Sequence, residues 1–384
     1  MEIYLDNSAT TKCSDRVIEV ATKAMTQVYG NPSSLHNMGM NAENMIKKAK
    51  EQIAKTLRCS EKEILFTSCG TESNNLAIKG GVYGNPRVGK HIITTAVEHA
   101  AVSSTMAHLE EQGYEVTYLP VNKEGYISLE DLKNAMREDT VMVAIMMVNN
   151  EVGARMPVEE AGKLIKECNP KTLFFVDAIQ GYGKYRINPT AAKIDLLSVS
   201  GHKIHAPKGV AFLYMKQGTK LATQLHGGGH QNNIRSGTEN VPGIAALGQA
   251  AEDIYTDLDA KVDKMYELRE FFIQEALNIG GIQINGRHTR DNAPHIISMS
   301  VPGVRSEVLL HALEERNIYV SAGSACSSNK PAISATLKAM GLSKDCLEST
   351  VRISMCEYTT KEELAELLDT LKELLPMLLR YTRR

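Results

Sequence analysis

The feature that most constrains this chain is the alternation of short apolar, β-branched runs with helical patterns. Strand-like runs at 63–66, 91–95 and 115–119 are followed by helical patterns that begin at Thr71, begin at about His99, and cover 128–136. Three further runs, 141–148, 173–176 and 195–198, are apolar on both alternating faces, as parallel strands covered by helices on both sides require. The pattern predicts an α/β chain with a mostly parallel, doubly wound sheet. Ser128 followed by Asp131 resembles a helix-capping pair, and Gly80 and Gly81 are expected to end the Thr71 helix in a left-handed cap.

Residues 246–279 read as one long helix, and the domain boundary is expected inside it. This gives a large domain at 14–257 and a smaller α/β domain built from 1–13 and 258–384. Short strands are predicted at 282–284 and 295–300, and a closing helix at 361–379 with Pro376 near its end. A chain of 384 residues can bury two such cores. With 43 Lys and Arg against 45 Asp and Glu the net charge is −2, which disfavours nucleic acid or an anionic membrane as the main partner. The longest clean apolar run, 141–148, is too short to span a membrane, and Glu2 and Asp6 stand where a signal peptide would be basic. Seven cysteines with no C-x-x-C pair point away from a disulfide framework and from a zinc cluster, so a reducing, cytoplasmic location is expected.

Three strand ends carry groups that could perform chemistry. The strand at 63–66 runs into Gly70-Thr71 at the start of a helix, where free N–H groups and a hydroxyl suit a phosphate; an ordinary helix cap has the same appearance. The run 173–176 ends in Asp177, a costly place for an unpaired charge, so a cation must face it: a basic side chain or a protonated ring nitrogen. The next strand leads into Ser200-Gly201-His202-Lys203. Open α/β sheets bind ligands beyond the carboxyl ends of their strands. An anion cup, an acid and an amine in one such crevice are the parts that pyridoxal 5'-phosphate requires.

Motifs along the whole chain then resemble one family in order: YLDNSATT at 4–11, GNPSS at 30–34, GTESNN at 70–75, EH at 98–99, NNEVG at 149–153, DAIQ at 177–180, SGHK at 200–203, RSGT at 235–238, SAC at 324–326 and VRIS at 351–354. Together they resemble the cysteine desulfurases of the NifS/IscS type, in the aminotransferase class V group of pyridoxal-phosphate enzymes with the fold type I architecture. The resemblance implies that Lys203 is the lysine bonded to the cofactor, Asp177 the partner of its ring nitrogen, and Gln180 the partner of its ring hydroxyl. It implies that His99 stacks on the ring and moves protons. Gly70, Thr71, Ser200 and His202 would hold the phosphate, with Thr238 supplied by the other subunit of a homodimer. Asn150 and Arg352 would receive the substrate, Arg352 through its two-pronged fork. The run 321–330 reads as a mobile loop carrying Cys326. In the implied reaction the Cys326 thiolate takes the sulfur of L-cysteine, alanine leaves, and a persulfide remains for a sulfur-acceptor protein, an iron–sulfur scaffold or a tRNA-thiolating enzyme.

Two positions depart from the family pattern. Ala206 stands before Pro207-Lys208-Gly209 where glycine is usual, a strain of about 1 kcal/mol if the backbone there needs positive φ. Ser8 stands where Asn or Ala is common. The other cysteines, Cys13, Cys59, Cys69, Cys168, Cys346 and Cys356, read as small buried apolar residues. His226 with the glycines after it resembles a hydrolase oxyanion loop, but no G-x-S-x-G accompanies it. The pairs His202/His205 and His226/His230 have metal-ligand spacing, but Gly and Pro interrupt them and no metal site is expected. Another class V enzyme, such as a selenocysteine lyase or an aminotransferase, is the alternative; the Cys326 loop favours the desulfurase.

Overall fold

The computed structural model describes residues 2–322 and 333–381. The segment with Cys326, where the sequence predicts a mobile loop, lies outside the described residues. In chain order the strands are β1 (Ile3–Tyr4), β2 (Ile64–Thr67), β3 (His91–Thr95), β4 (Glu115–Leu119), β5 (Thr140–Met146), β6 (Leu173–Asp177) and β7 (Leu196–Ser200). They continue with β8 (Ala211–Met215), β9 (Gln283–Asn285), β10 (Ile296–Ser300), β11 (Ile318–Tyr319), β12 (Ser321–Ala322) and β13 (Thr350–Ser354). The helices are α1 (Asp15–Thr26), α2 (Asn37–Leu57), α3 (Gly70–Gly84), α4 (Ala100–Glu111), α5 (Leu129–Ala135) and α6 (Val158–Cys168). After them come α7 (Val241–Tyr255), α8 (Leu258–Leu277), α9 (Ser306–Glu314), α10 (Ala335–Ala339), α11 (Lys344–Ser349) and α12 (Lys361–Leu378).

Seven strands form the main sheet in the order β2-β8-β7-β6-β5-β3-β4, with β8 alone antiparallel to its neighbours. Strands β2, β3, β4, β5, β6 and β7 therefore all end on one edge. β5, β6 and β7 are buried along their whole length because apolar residues occupy both faces and helices cover both sides. One core joins this sheet to α1, α2 and α7, and α7 presses closely on α2 at Gly248, where a Cβ would stand 2.6 Å from the Ala49 Cα. A second core unites Ile3 and Leu5 with α8, α12 and the antiparallel sheet β12-β13-β10-β9, so the N-terminal strand packs with the C-terminal third of the chain.

Four sequence expectations need correction. Helix α3 does not stop at Gly80 and Gly81 but runs through them to Gly84. A Cβ on Gly81 would lie 2.6 Å from the Met142 Cε, so this glycine lets the helix press onto the sheet. The stretch 246–279 is two helices, broken at Thr256 and at Asp257, whose φ is +53°. Cys168 is exposed at the end of α6, and Cys13, Cys59 and Cys69 are half-buried; only Cys346 and Cys356 among the described thiols are buried. Ala206 is not at positive φ: the left-handed residue is His205, at φ +66°.

Candidate active site

Because six strands, β4 included, end on the same edge of the sheet, their loops meet there. Thr71 follows β2 in the first turn of α3, His99 follows β3 and caps α4, Asn150 follows β5, Asp177 ends β6 and Lys203 closes a short turn after β7. The sequence-predicted residues on these loops are thus gathered at one edge, and Arg352 joins them from β13: its Nη1 donates to the Asn150 carbonyl at 2.8 Å and its Nη2 meets Asp6 Oδ1 at 2.9 Å. Thr238 is exposed and lies on the loop anchored by the ion pair of Arg235 with Glu72 at 2.6 Å.

Asp177 is 5 % exposed. Its Oδ2 accepts from the Asn74 amide at 2.8 Å and its Oδ1 from the Ile179 N–H at 3.0 Å. Burial nevertheless raises its pKa, and those hydrogen bonds together with the positive fields of His99 and Lys203 do not cancel that rise. Lys203 donates to the carbonyls of Ser8 at 2.5 Å and Ala9 at 2.7 Å. The Ser8 carbonyl also accepts from Gln180 Nε2 at 2.9 Å, so the N-terminal segment positions two of the predicted residues at once.

His99 Nδ1 accepts from the Ala101 N–H at 3.1 Å, which in the neutral ring places the proton on Nε2. Beside it, Glu98 is held by Thr95 and by the Met146 N–H, and burial raises its pKa to about 8, with the nearby Asp177 adding to the rise. His202 lies 3.2 Å from Thr10 Oγ1; burial, then Lys203 and Lys208, lower its pKa to about 4, so its ring is neutral. The space beside the Gly70 Cα is taken by the Ile179 side chain, 2.4 Å from where a Cβ would stand.

Pyridoxal phosphate can be tested against this donor set. Ser200 Oγ, Asn74 Oδ1 and Arg352 Nε are buried without a partner among the described residues, and Asp177 is a carboxylate whose environment undercompensates its charge. A ligand with an anionic group near Ser200, a protonated ring nitrogen at Asp177 and a carboxylate near Arg352 supplies what these atoms lack. The residues present therefore fit the cofactor.

Sequence reasoning missed Asn74, Glu98, Asp6 and the Ser8 and Ala9 carbonyls. Asn74 could have been found, since it stands one turn after Gly70 on the same helix face. A main-chain carbonyl leaves no trace in a sequence.

A second buried cluster lies two residues beyond Lys203. His205 Nδ1 is 2.8 Å from the Lys12 carbonyl and its Nε2 3.2 Å from Glu357 Oε2, with Cys356 close enough for the three side chains to be metal-capable donors. Burial pulls the His205 pKa down, but hydrogen bonds to Cys356 and Glu357 outweigh it and take it to about 9. Burial pushes Glu357 up, and His205 and Lys184 bring it down to about 2. The charges of this pair compensate each other.

The sequence profile of the aminotransferase class-V family matches residues 3–367. A NifS/IcsS protein homolog of Lactobacillus delbrueckii subsp. bulgaricus is 42% identical over 373 residues, 97% of each chain. The cysteine desulfurase IscS of Dictyoglomus turgidum is 41% identical over 378 residues, 98% of this chain and 95% of the relative. Among solved structures, a NifS-like protein superposes with TM-score 0.93 at 38% identity, covering 98% of this chain and 100% of that one. A structure of SspA in complex with cysteine superposes with TM-score 0.82 at 33% identity, covering 94% and 100%. The chain belongs to the aminotransferase class-V family, and within it to the pyridoxal-phosphate-dependent cysteine desulfurases of the NifS/IscS type.

Proposed function

We propose that this protein converts L-cysteine to L-alanine and passes the sulfur, as a persulfide on Cys326, to an acceptor protein such as an iron–sulfur scaffold or a tRNA-thiolating enzyme. The observation that carries the reading is the undercompensated Asp177 carboxylate at the end of β6, with Lys203 at the end of the adjacent strand. Bound there, pyridoxal phosphate supplies an electron-withdrawing ring that drains charge from the substrate Cα. Asp177 would keep the ring nitrogen protonated, and Lys203 would hold the cofactor. Gln180 donates to the ring oxygen, and Gly70, Thr71, Ser200 and His202 receive the phosphate. His99, whose Nδ1 accepts from the Ala101 N–H, would carry protons on Nε2. Arg352 and Asn150 receive the substrate α-carboxylate and Cys326 takes the sulfur. The cysteine bound in the SspA complex supports this substrate.

The reading extends to a homodimer acting in the cytoplasm, with 14–257 as the cofactor-binding domain and 1–13 with 258–384 as the smaller one. Among the described residues no helix is long and apolar enough to cross a membrane. Tyr29, Leu35, Met38 and Met40 expose apolar surface on one segment, which approaches the Thr238-bearing loop through Ser33 and His230, 3.5 Å apart. A second subunit covering this face would bring Thr238 to the partner's phosphate. Mixing Lys203→Ala with Thr238→Ala subunits should then restore roughly a quarter of all sites; a monomer in sedimentation would refute the dimer.

The function itself is tested at two residues. Borohydride reduction of the yellow protein followed by peptide mapping should label Lys203. Cys326→Ser should bind cofactor and cysteine yet release almost no alanine, because a serine hydroxyl stays protonated near neutrality. Full turnover by that variant, or a borohydride label on another lysine, would sink the assignment.

A further inference from the structure

His295 stands immediately before β10, and its carbonyl accepts from the Met355 N–H at 2.9 Å, so it is fastened to the end of the strand that carries Arg352. It is 3 % exposed, and its Nε2 lies 3.2 Å from Gln180 Oε1. The Gln180 amide is oriented from both sides. The Ser8 carbonyl can only accept, so it fixes the NH2 group on its own side. The oxygen then faces His295, and only a ring carrying its proton on Nε2 satisfies it.

The surroundings hold the imidazole in that form. Burial, and then the positive charges of Lys184, Arg352 and Lys203, push the His295 pKa well below its ordinary value, so the ring is neutral. Its Nδ1 is buried without a partner among the described residues, which suits a bare nitrogen far better than an orphaned N–H. Of the two Gln180 N–H donors one is taken by Ser8, and the other remains for a ligand.

We propose that His295 is a positioning residue for the cofactor: by donating from Nε2 to Gln180 Oε1 it locks the amide so that an N–H, and never the carbonyl oxygen, faces the ring oxygen of pyridoxal phosphate. This rests on the reading that Gln180 meets that oxygen. A fixed donor there favours the anionic ring oxygen; a carbonyl oxygen in its place would repel it. The Ser8 contact alone leaves the amide held on one side.

The test uses the cofactor-loaded protein and reads the visible absorption of the bound cofactor against pH, together with the rate of cofactor loss. His295→Phe should move the absorption titration up by about half a pH unit and speed cofactor loss about fivefold, the size of one neutral hydrogen bond. His295→Gln, which restores an N–H donor at nearly the same reach, should return both values to within about twofold of the parent. Gln180→Ala should produce shifts at least as large, and His295→Phe should add nothing in that background. An unchanged spectrum in Gln180→Ala would overturn the ring-oxygen reading and the proposal with it. A shift in Gln180→Ala but none in His295→Phe, or a full His295 effect in the double variant, would overturn the positioning role alone. A drop in the melting temperature of the cofactor-free protein without any spectral change would also overturn it.

Discussion

Two buried charged regions lie within a few residues of each other and are built to opposite ends. Around Asp177 burial wins: the pKa is raised, and Ser200 Oγ, Asn74 Oδ1 and Arg352 Nε are buried without partners among the described residues. Around His205 and Glu357 the pair wins: burial opposes both charges, yet one pKa rises to about 9 and the other falls to about 2. The comparison separates a region that waits for a ligand from one that is complete in itself. An unsatisfied buried group costs about 1–3 kcal/mol, and around Asp177 a bound molecule can offset that cost.

The largest effect expected from this contrast is at Asp177. Asp177→Ala removes the group proposed to hold the ring nitrogen protonated, and alanine formation should then fall by about a thousandfold or more, a barrier increase of roughly 4 kcal/mol. Its bound cofactor should show an altered absorption spectrum. Glu357→Gln, which removes the carboxylate of a half-buried residue from the complete cluster, should leave that spectrum unchanged. A Glu357 variant with the spectral phenotype of Asp177→Ala would erase the distinction between the two regions.

The second effect is on stability. His205 has a raised pKa, so its contribution is full below 6.5 and is lost as pH rises through about 9. Glu357 has a depressed pKa, so its contribution is full above 4.5 and is lost as pH falls through about 2. The stability difference between the parent and Glu357→Gln should therefore peak between pH 4.5 and 6.5, at about 2 kcal/mol. Above about pH 9 it should shrink towards zero. Urea unfolding across this range gives the curve; a difference that grows with pH would show that the pair is not ionised as drawn.

A third effect concerns thiol access. Cys168 should react with a maleimide within minutes in the folded protein, whereas Cys346 and Cys356 should react only as fast as local opening allows, roughly a hundredfold slower or more. Equal rates at Cys168 and Cys356 would mean that the complete cluster is open to solvent.

The two regions were also unequally legible in the sequence. Asp177 and Lys203 stand out because an ionisable residue at the end of an apolar strand is costly and local sequence reveals it. Thr71 follows from the strand–loop–helix pattern, whereas His99 came only from the family resemblance. The His205–Glu357 pair was invisible: its members are 152 residues apart, and the spacing of His205 with His202 points to a metal ligand rather than to a carboxylate. Glycine was the main source of error in the elements. Gly81 was read as a helix stop because its backbone freedom is a local property, whereas its use here, contact with Met142 across the sheet, is a tertiary one. Asp257 broke the predicted long helix through a left-handed backbone that no Gly or Pro announced.

The smallest effect separates the lysine loop from the cluster behind it. If position 206 needed positive φ, alanine would strain the chain where the family motif usually has glycine, and Ala206→Gly would stabilise the protein. The backbone places positive φ one residue earlier, at His205, whose ring is held by the Lys12 carbonyl and Glu357. Ala206 is 1 % exposed and sits in ordinary backbone space. Glycine there adds freedom to the unfolded chain and removes a buried methyl, so Ala206→Gly should lower stability by about 1 kcal/mol. The absorption of the bound cofactor should not change, because the left-handed residue of this turn is His205 and its contacts are kept. Stabilisation by Ala206→Gly in urea would show that position 206, not His205, carries the strain of this turn.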